Sequence, residues 1–74
     1  MNKVRRRNLE AIIQKLEDIK SDLEILKDEE EEYRDNIPDG FTERYETADE
    51  ACDNLDCAWD SLEEAVRYIE DAVA

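Results

Sequence analysis

The second half of the chain contains a continuous heptad pattern of apolar side chains. From Phe41 to Val73, apolar residues recur in alternating steps of four and three. This spacing is typical of a coiled-coil helix whose a and d positions face another helix, with Tyr45 at position a. These positions hold Phe41, Tyr45, Ala48, Cys52, Leu55, Trp59, Leu62, Val66, Ile69 and Val73. The pattern predicts a helix over about residues 43–73.

The first half repeats the alternation, with Leu9 at position a. Its predicted a and d positions are Leu9, Ile12, Leu16, Ile19, Leu23, Leu26, Glu30 and Tyr33. Only Glu30 interrupts the apolar series, close to the point where the pattern stops. We therefore expect a first helix over about residues 2–35, facing the second helix through its a and d positions.

Residues 36–42 separate the two patterns and carry turn signals. Pro38 disfavours helical geometry at Ile37, and Gly40 can adopt the positive φ that a turn requires. Thr42 is a plausible N-cap, and Glu43 would then place a negative charge in the first turn. A short connection between periodic helices predicts an all-α, antiparallel two-helix hairpin of the coiled-coil type, as one domain over residues 1–74.

The charged columns beside the seam support this pairing. In an antiparallel pair, position e faces position e, and folding about the loop brings Lys27 near Asp49 and Lys20 near Asp56. The hairpin should also place the basic start of helix 1 beside the acidic end of helix 2. The residues concerned are Lys3, Arg5, Arg6 and Arg7 on helix 1, with Glu70 and Asp71 on helix 2.

A row of alanines follows the g positions of helix 2. Alanine allows helices to approach closely, so the row predicts a second packing surface and a homodimer that forms a four-helix bundle. The alternative is that alanine is simply a good helix former. The expected oligomer interface comprises Ala51, Ala58, Trp59, Leu62, Ala65 and Ala72, with Ile13 and Ile25 as further candidates.

The net charge of the chain indicates which class of partner it is expected to bind. The chain has 74 residues and a net charge of −13, of which residues 1–27 contribute +2 and residues 28–74 contribute −15. Such a surface repels nucleic acid and anionic lipid and attracts a protein with a basic surface. The simpler alternative is that the acidic side chains only keep the protein in solution.

Candidate chemistry is sparse. The chain has no histidine, Cys52 occupies a core position, and Cys57 lies at an outward f position without a basic neighbour in its heptad. The acidic run 28–32 lacks the glycine turn of a calcium loop. We expect no catalytic residues, no metal and no cofactor. The polar sequence after Arg5–Arg7 does not fit a signal peptide, and no apolar run could span a membrane, so a cytoplasmic location is expected.

Two short stretches carry a family resemblance. The turn Tyr33-Arg34-Asp35-Asn36-Ile37-Pro38 and the helix start Glu43-Arg44-Tyr45-Glu46 resemble a family of short, uncharacterised acidic helical-hairpin proteins of Gram-positive bacteria and their phages or prophages. The likeness extends over nearly the whole chain. It departs at the loop, Asp39-Gly40-Phe41-Thr42, and at Cys57 and Trp59. The resemblance implies a phage origin and supplies no activity that could be carried over to this chain.

Two non-enzymatic functions follow from these features. The first is inhibition of a host DNA- or RNA-handling or defence protein by nucleic-acid mimicry, with an acidic face in the role of phosphates. Its expected residues are Glu29, Glu31, Glu32, Asp49, Glu50, Asp53, Asp56, Asp60, Glu63 and Glu64. The alternative is a homo-oligomeric assembly or structural adaptor whose charge only confers solubility.

Overall fold

The computed structural model describes all 74 residues as two α-helices without any strand. Helix α1 spans Lys3–Asp35 and helix α2 spans Thr42–Val73, joined by residues 36–41. The two helices lie side by side and antiparallel, in a rod with extents of 59 × 15 × 11 Å. The predicted all-α hairpin is confirmed, and both helices start within one residue of the predicted positions and end where expected.

Local hydrogen bonds explain where the helices begin and end. Asn2 caps α1, because its Oδ1 accepts a hydrogen bond from the Arg5 N–H at 2.7 Å. Asn36 closes the other end by donating from its side-chain amide to the Glu32 carbonyl at 2.9 Å. Gly40 then takes a φ of 96°, a conformation that side chains with a Cβ rarely adopt.

The start of α2 differs from the prediction in one detail. Thr42 is the first helical residue and Phe41 occupies the N-cap position without a side-chain hydrogen bond. The expected capping role of Thr42 was therefore wrong. Glu43 lies in the first turn as expected, where its charge suits the helix dipole.

Helix α2 faces α1 through its predicted a and d positions. Ala48, Cys52 and Val66 are buried, and these three make up the entire fully buried apolar core. The remaining a and d residues after Cys52 are half-buried: Leu55, Trp59, Leu62, Ile69 and Val73. The heptad pattern therefore identified the seam of α2 correctly from Ala48 to Val73, whereas the predicted a residue Tyr45 is 43% exposed.

Helix α1 is rotated relative to the prediction. Its predicted d residues are exposed by about half: Ile12 43%, Ile19 51%, Leu26 57% and Tyr33 51%. The e residues Ile13, Lys20, Lys27 and Arg34 take their place against α2. Adjacent residues on a helix are 100° apart, so a seam at a and e instead of a and d turns α1 by about 50°.

The register of the two helices also differs from the expectation. Lys20 pairs with Glu63 and Lys27 with Asp56, one heptad further along α2 than predicted. Residues 36–41 therefore do not fold back symmetrically but rise along the rod, so the first turns of α2 extend beyond the end of α1. Phe41 is 49% exposed for this reason, although it continues the d column.

The same offset leaves the start of α1 extending beyond the end of α2. A helix of 33 residues is about 50 Å long at 1.5 Å per residue, whereas the rod measures 59 Å. The difference of about 9 Å corresponds to the first turns of α2, which project beyond the end of α1. The basic residues Lys3, Arg5, Arg6 and Arg7 lie in the projecting part of α1 and form no ion pair. Their expected pairing with Glu70 and Asp71 was therefore wrong.

Candidate functional site

One flank of the hairpin is closed by three ion pairs between the e positions of the helices. Arg34 donates to Asp49 at 2.9 Å, Lys27 lies 2.9 Å from Asp56, and Lys20 pairs with Glu63. We call these six residues the paired flank. The three pairs recur every heptad, so they fix both the antiparallel orientation and the register of the helices.

Lys20 is the most buried member of the paired flank, with 6% of its surface exposed. Its Nζ contacts Glu63, lies 3.5 Å from Glu17, and sits 4.7 Å from the ring centroid of Trp59. The hydrogen bond to Glu63 raises the pKa of Lys20 above its ordinary value. The aliphatic stem covers the seam while the ammonium remains paired, which explains how a lysine takes a core position.

The other bases of the paired flank are held in the same way. The hydrogen bond to Asp56 raises the pKa of Lys27, and hydrogen bonds to Asp35 and Asp49 raise the pKa of Arg34. Burial raises the pKa of the Cys52 thiol, which keeps this cysteine neutral in the seam. Cys57 is exposed, and both thiols are free.

The opposite flank of the hairpin is not closed by ion pairs between the helices. Because α1 buries its e column, its d column turns outward beside the g column of α2. We call this surface the apolar face, and it comprises Ile12, Ile19, Leu26 and Tyr33 from α1 with Ala51, Ala58, Ala65 and Ala72 from α2. Large residues of one helix thus border small residues of the other along about three heptads. Contiguous exposed apolar surface of this kind marks interaction sites in soluble proteins.

A groove at the loop end confirms that the two columns meet on one side. It is open to solvent, has a volume of about 590 Å³, and is lined by Tyr33 and Glu30 of α1, by Gly40 and Phe41, and by Thr42, Glu43, Arg44, Thr47, Ala48 and Ala51 of α2. Tyr33 and Ala51 therefore lie at the same level of the apolar face. The Arg34–Asp49 pair occupies the same level on the opposite flank.

Next to its alanine row, α2 carries a second column without charge. Its c positions hold Thr47, Asn54, Ser61 and Tyr68, which are all exposed. Together with the alanines they form an unbroken four-and-three alternation from Thr47 to Ala72 that contains no charged residue. Since 45% of the chain is charged, the absence of charge along this side of α2 sets it apart from the b, e and f columns of the helix.

The ten predicted acidic residues fall into two groups. Asp49, Asp56 and Glu63 belong to the paired flank and are engaged with cations of α1. The other seven make no ion pair; Glu31 is half-buried and the remaining six are exposed: Glu29, Glu32, Glu50, Asp53, Asp60 and Glu64. The structure therefore does not bring the ten carboxylates together as one free surface.

The six predicted interface residues are divided in a similar way. Trp59 and Leu62 are half-buried at the seam against α1, whereas the four alanines lie along the apolar face. The indole N–H of Trp59 is buried and finds no acceptor. Among the further candidates, Ile13 lies in the seam and Ile25 is 58% exposed. The large apolar part of the face, on α1, was assigned to the seam by the sequence pattern.

Metal binding, membrane crossing and similarity to known proteins give no further indication of function. No three cysteine or acidic side chains are arranged to hold a metal ion. Neither helix has a segment of the length and apolarity required to cross a membrane. No family model matches the chain, and no curated protein or solved structure is similar enough to count as a match.

Proposed function

We propose that this protein is a non-enzymatic helical binding module whose working surface is the apolar face. The observation that carries the proposal is the row Ile12, Ile19, Leu26 and Tyr33, each 43–57% exposed. Burial of apolar surface is worth about 25 cal/mol per Å², so leaving four large side chains in water forfeits several kcal/mol that a partner would supply.

The small core supports the same conclusion. Only Ala48, Cys52 and Val66 are buried apolar residues in a chain of 74. Small domains without disulfides or metals commonly gain stability by association, and both cysteines here are free. Covering the apolar face would give the hairpin a second core parallel to the first.

A capture experiment with matched variants tests this proposal. The immobilised chain would be exposed to a bacterial lysate that also contains added soluble copies of the chain, in parallel with the variant Ile19→Lys/Leu26→Lys and the control Asp53→Asn/Asp60→Asn. Both double variants raise the net charge by two, so they differ in the surface altered and not in total charge. We expect specific retention of protein to be lost only with the lysine variant. Equal retention by all three chains would overturn the proposal, provided that circular dichroism shows intact helices.

A second candidate function rests on the acidic back of α2. Glu50, Asp53, Asp60 and Glu64 are exposed and unpaired on adjacent b and f columns. We propose that such a surface suits the basic groove of a nucleic-acid-binding protein, as an inhibitor that mimics DNA or RNA. It predicts that the Asp53→Asn/Asp60→Asn variant loses retention and that duplex DNA displaces the captured protein. A captured protein that DNA does not displace would contradict mimicry.

A further inference from the structure

We infer that the apolar face is covered by a second copy of this chain, in a four-helix bundle whose two hairpins point in opposite directions. The inference rests on the proposed working surface and names its occupant and the arrangement. In this bundle α1 packs against α1 of the second copy and α2 against α2, about a two-fold axis perpendicular to the helices. Each projecting basic start of α1 then lies beside the loop end of the other copy.

Charge favours opposite directions. The loop half of the rod, residues 23–61, contains 15 acidic and three basic side chains, a net of −12. The other half, residues 1–22 and 62–74, contains eight acidic and seven basic side chains, a net of −1. Hairpins pointing the same way would place −12 against −12, whereas opposite directions place each strongly acidic half against a nearly neutral one.

The heptad register of the apolar face is self-complementary in this arrangement. Centring the axis on the row places Ile12 opposite Tyr33 of the second copy and Ile19 opposite Leu26 of the second copy. The same register places Lys15, on the adjacent g column of α1, level with Glu29 of the second copy, and the two-fold axis repeats this pair. Between the two pairs, Asp22 lies level with Asp22 of the second copy, so this column contributes two opposite-charge pairs and one like-charge pair. An isologous interface needs such matching of a surface with itself.

The uncharged side of α2 fits the same register. Ala51 falls opposite Ala72 of the second copy, and Ala58 opposite Ala65 of the second copy. The neighbouring c columns also meet, so Ser61 faces itself across the axis. An acidic helix that packs against its own copy must keep this side free of carboxylates, because like charges at an interface are costly. The charge-free alternation from Thr47 to Ala72 meets that requirement.

The available area suits a dimer. A face 59 Å long and 15 Å wide offers a footprint on the order of 800 Å² per partner, which is the usual size of a stable interface. The apolar residues occupy its centre and the charged ends form its rim, as in other interfaces. With three buried apolar residues of its own, the hairpin needs a partner that is present whenever the chain is made, and a second copy meets this condition.

Distance measurement between spin labels tests the arrangement. Asp39→Cys in a Cys57→Ser background places one spin label in the loop. Cys52 is buried and should stay unlabelled. Labelling of the Cys57→Ser chain without Asp39→Cys verifies this. We expect a pair distance near the 59 Å length of the rod, because the two loops lie at opposite ends. A distance below about 30 Å would show hairpins pointing the same way and would overturn the inference.

A label at Ser21, near the middle of the rod, serves as the control. It should give a short distance in either arrangement, so its absence together with a monomeric mass in solution would also overturn the inference. A monomeric chain that still captures another protein through the apolar face would remove self-association and leave the binding-module proposal standing. A monomeric chain that captures nothing would remove both.

Discussion

The two flanks of the hairpin have similar lengths, but one is covered by ion pairs and the other exposes large apolar side chains. On the paired flank, Lys20, Lys27 and Arg34 meet carboxylates of α2 at each heptad, and their stems cover the seam. On the apolar face, the corresponding column of α1 carries Ile12, Ile19, Leu26 and Tyr33, which are 43–57% exposed. The paired flank therefore fixes the orientation and register of the hairpin, whereas the apolar face keeps large side chains exposed to solvent.

The difference shows that charged and apolar side chains have separate roles in this small acidic protein. Partly exposed ion pairs are worth little individually, but they fix orientation and register without using up large apolar side chains. Those side chains remain available for an interface, where burial yields more free energy per residue. A hairpin that buried the d column of α1 in its own seam would have had no such surface.

The largest expected effect comes from placing a charge on the apolar face. Ala58→Glu should raise the dissociation constant of the dimer by about 100-fold or more, because a carboxylate would be buried without a partner. The matched control is Cys57→Glu, which adds the same charge at the neighbouring, outward position. Sedimentation velocity over a concentration series measures both. Equal weakening by the two variants would mean that net charge and not the apolar face controls association.

The next effect comes from reversing a charge on the paired flank. Lys20→Glu would bring a carboxylate beside Glu63 and Glu17, and the thermal midpoint of unfolding should fall by about 5 °C or more. Adding Glu63→Lys restores an ion pair with reversed sign and should recover at least half of the loss. Circular dichroism melts of the three chains measure this. Failure of the second substitution to rescue would contradict a direct pairing of the two side chains.

The paired flank also predicts a response to alkaline pH. The pKa values of Lys20 and Lys27 are raised above 10.5 in the folded chain, so the folded state binds protons more tightly than the unfolded state. Their contribution to stability is complete below about pH 10 and is lost as pH rises through the raised values. The thermal midpoint should therefore fall more steeply above pH 10 than in a Lys20→Met/Lys27→Met variant.

Ionisation of Cys52 also lowers the stability of the folded chain at alkaline pH, so its effect must be distinguished from that of the lysines. Burial raises its pKa above 9.0, so above that pH the unfolded chain ionises the thiol and the folded state loses relative stability. The comparison is therefore made in a Cys52→Ala background. Parallel pH curves for the two chains in that background would contradict a stabilising role for the lysine pairs.

The smallest effect sharpens the proposed arrangement at the rim of the apolar face. Lys15→Glu would place like charges opposite Glu29 of the second copy, twice per dimer. Rim pairs contribute at most about 1 kcal/mol each, so the dissociation constant should rise by about 3- to 10-fold, and less at high salt. Arg67→Glu, which makes the same change of charge at an exposed b position away from the apolar face, is compared with it. Unchanged affinity for Lys15→Glu would argue against this register.

Most of the fold could be predicted from the sequence because the signals were local and repeated. The seam of α2 followed from ten apolar positions in strict alternation, and Pro38 with Gly40 identified the connection. The seam of α1 could not be predicted from apolar spacing alone, because its d column is more apolar than its e column. The signal that was available lay in charge: acidic residues at e of α2 require basic residues at e of α1 to turn inward.

The candidate site was predicted in part for the same reason. The alanine row identified the α2 side of the apolar face, but Trp59 and Leu62 lie in the seam. The α1 side was hidden because Ile12, Ile19 and Leu26 were assigned to the seam. The register depended on the path of residues 36–41, which composition does not determine, and the predicted pairs were therefore one heptad away from those observed.

Sedimentation equilibrium of the unmodified chain, from low to high micromolar concentration, tests most directly whether the apolar face is an association surface. The chain has a mass of 8.7 kDa. We expect the weight-average mass to approach twice that value as concentration rises, and to remain near the single-chain mass for Ala58→Glu. A mass of one chain at every concentration would contradict association between copies. A doubled mass that Ala58→Glu leaves unchanged would place the contact elsewhere on the molecule.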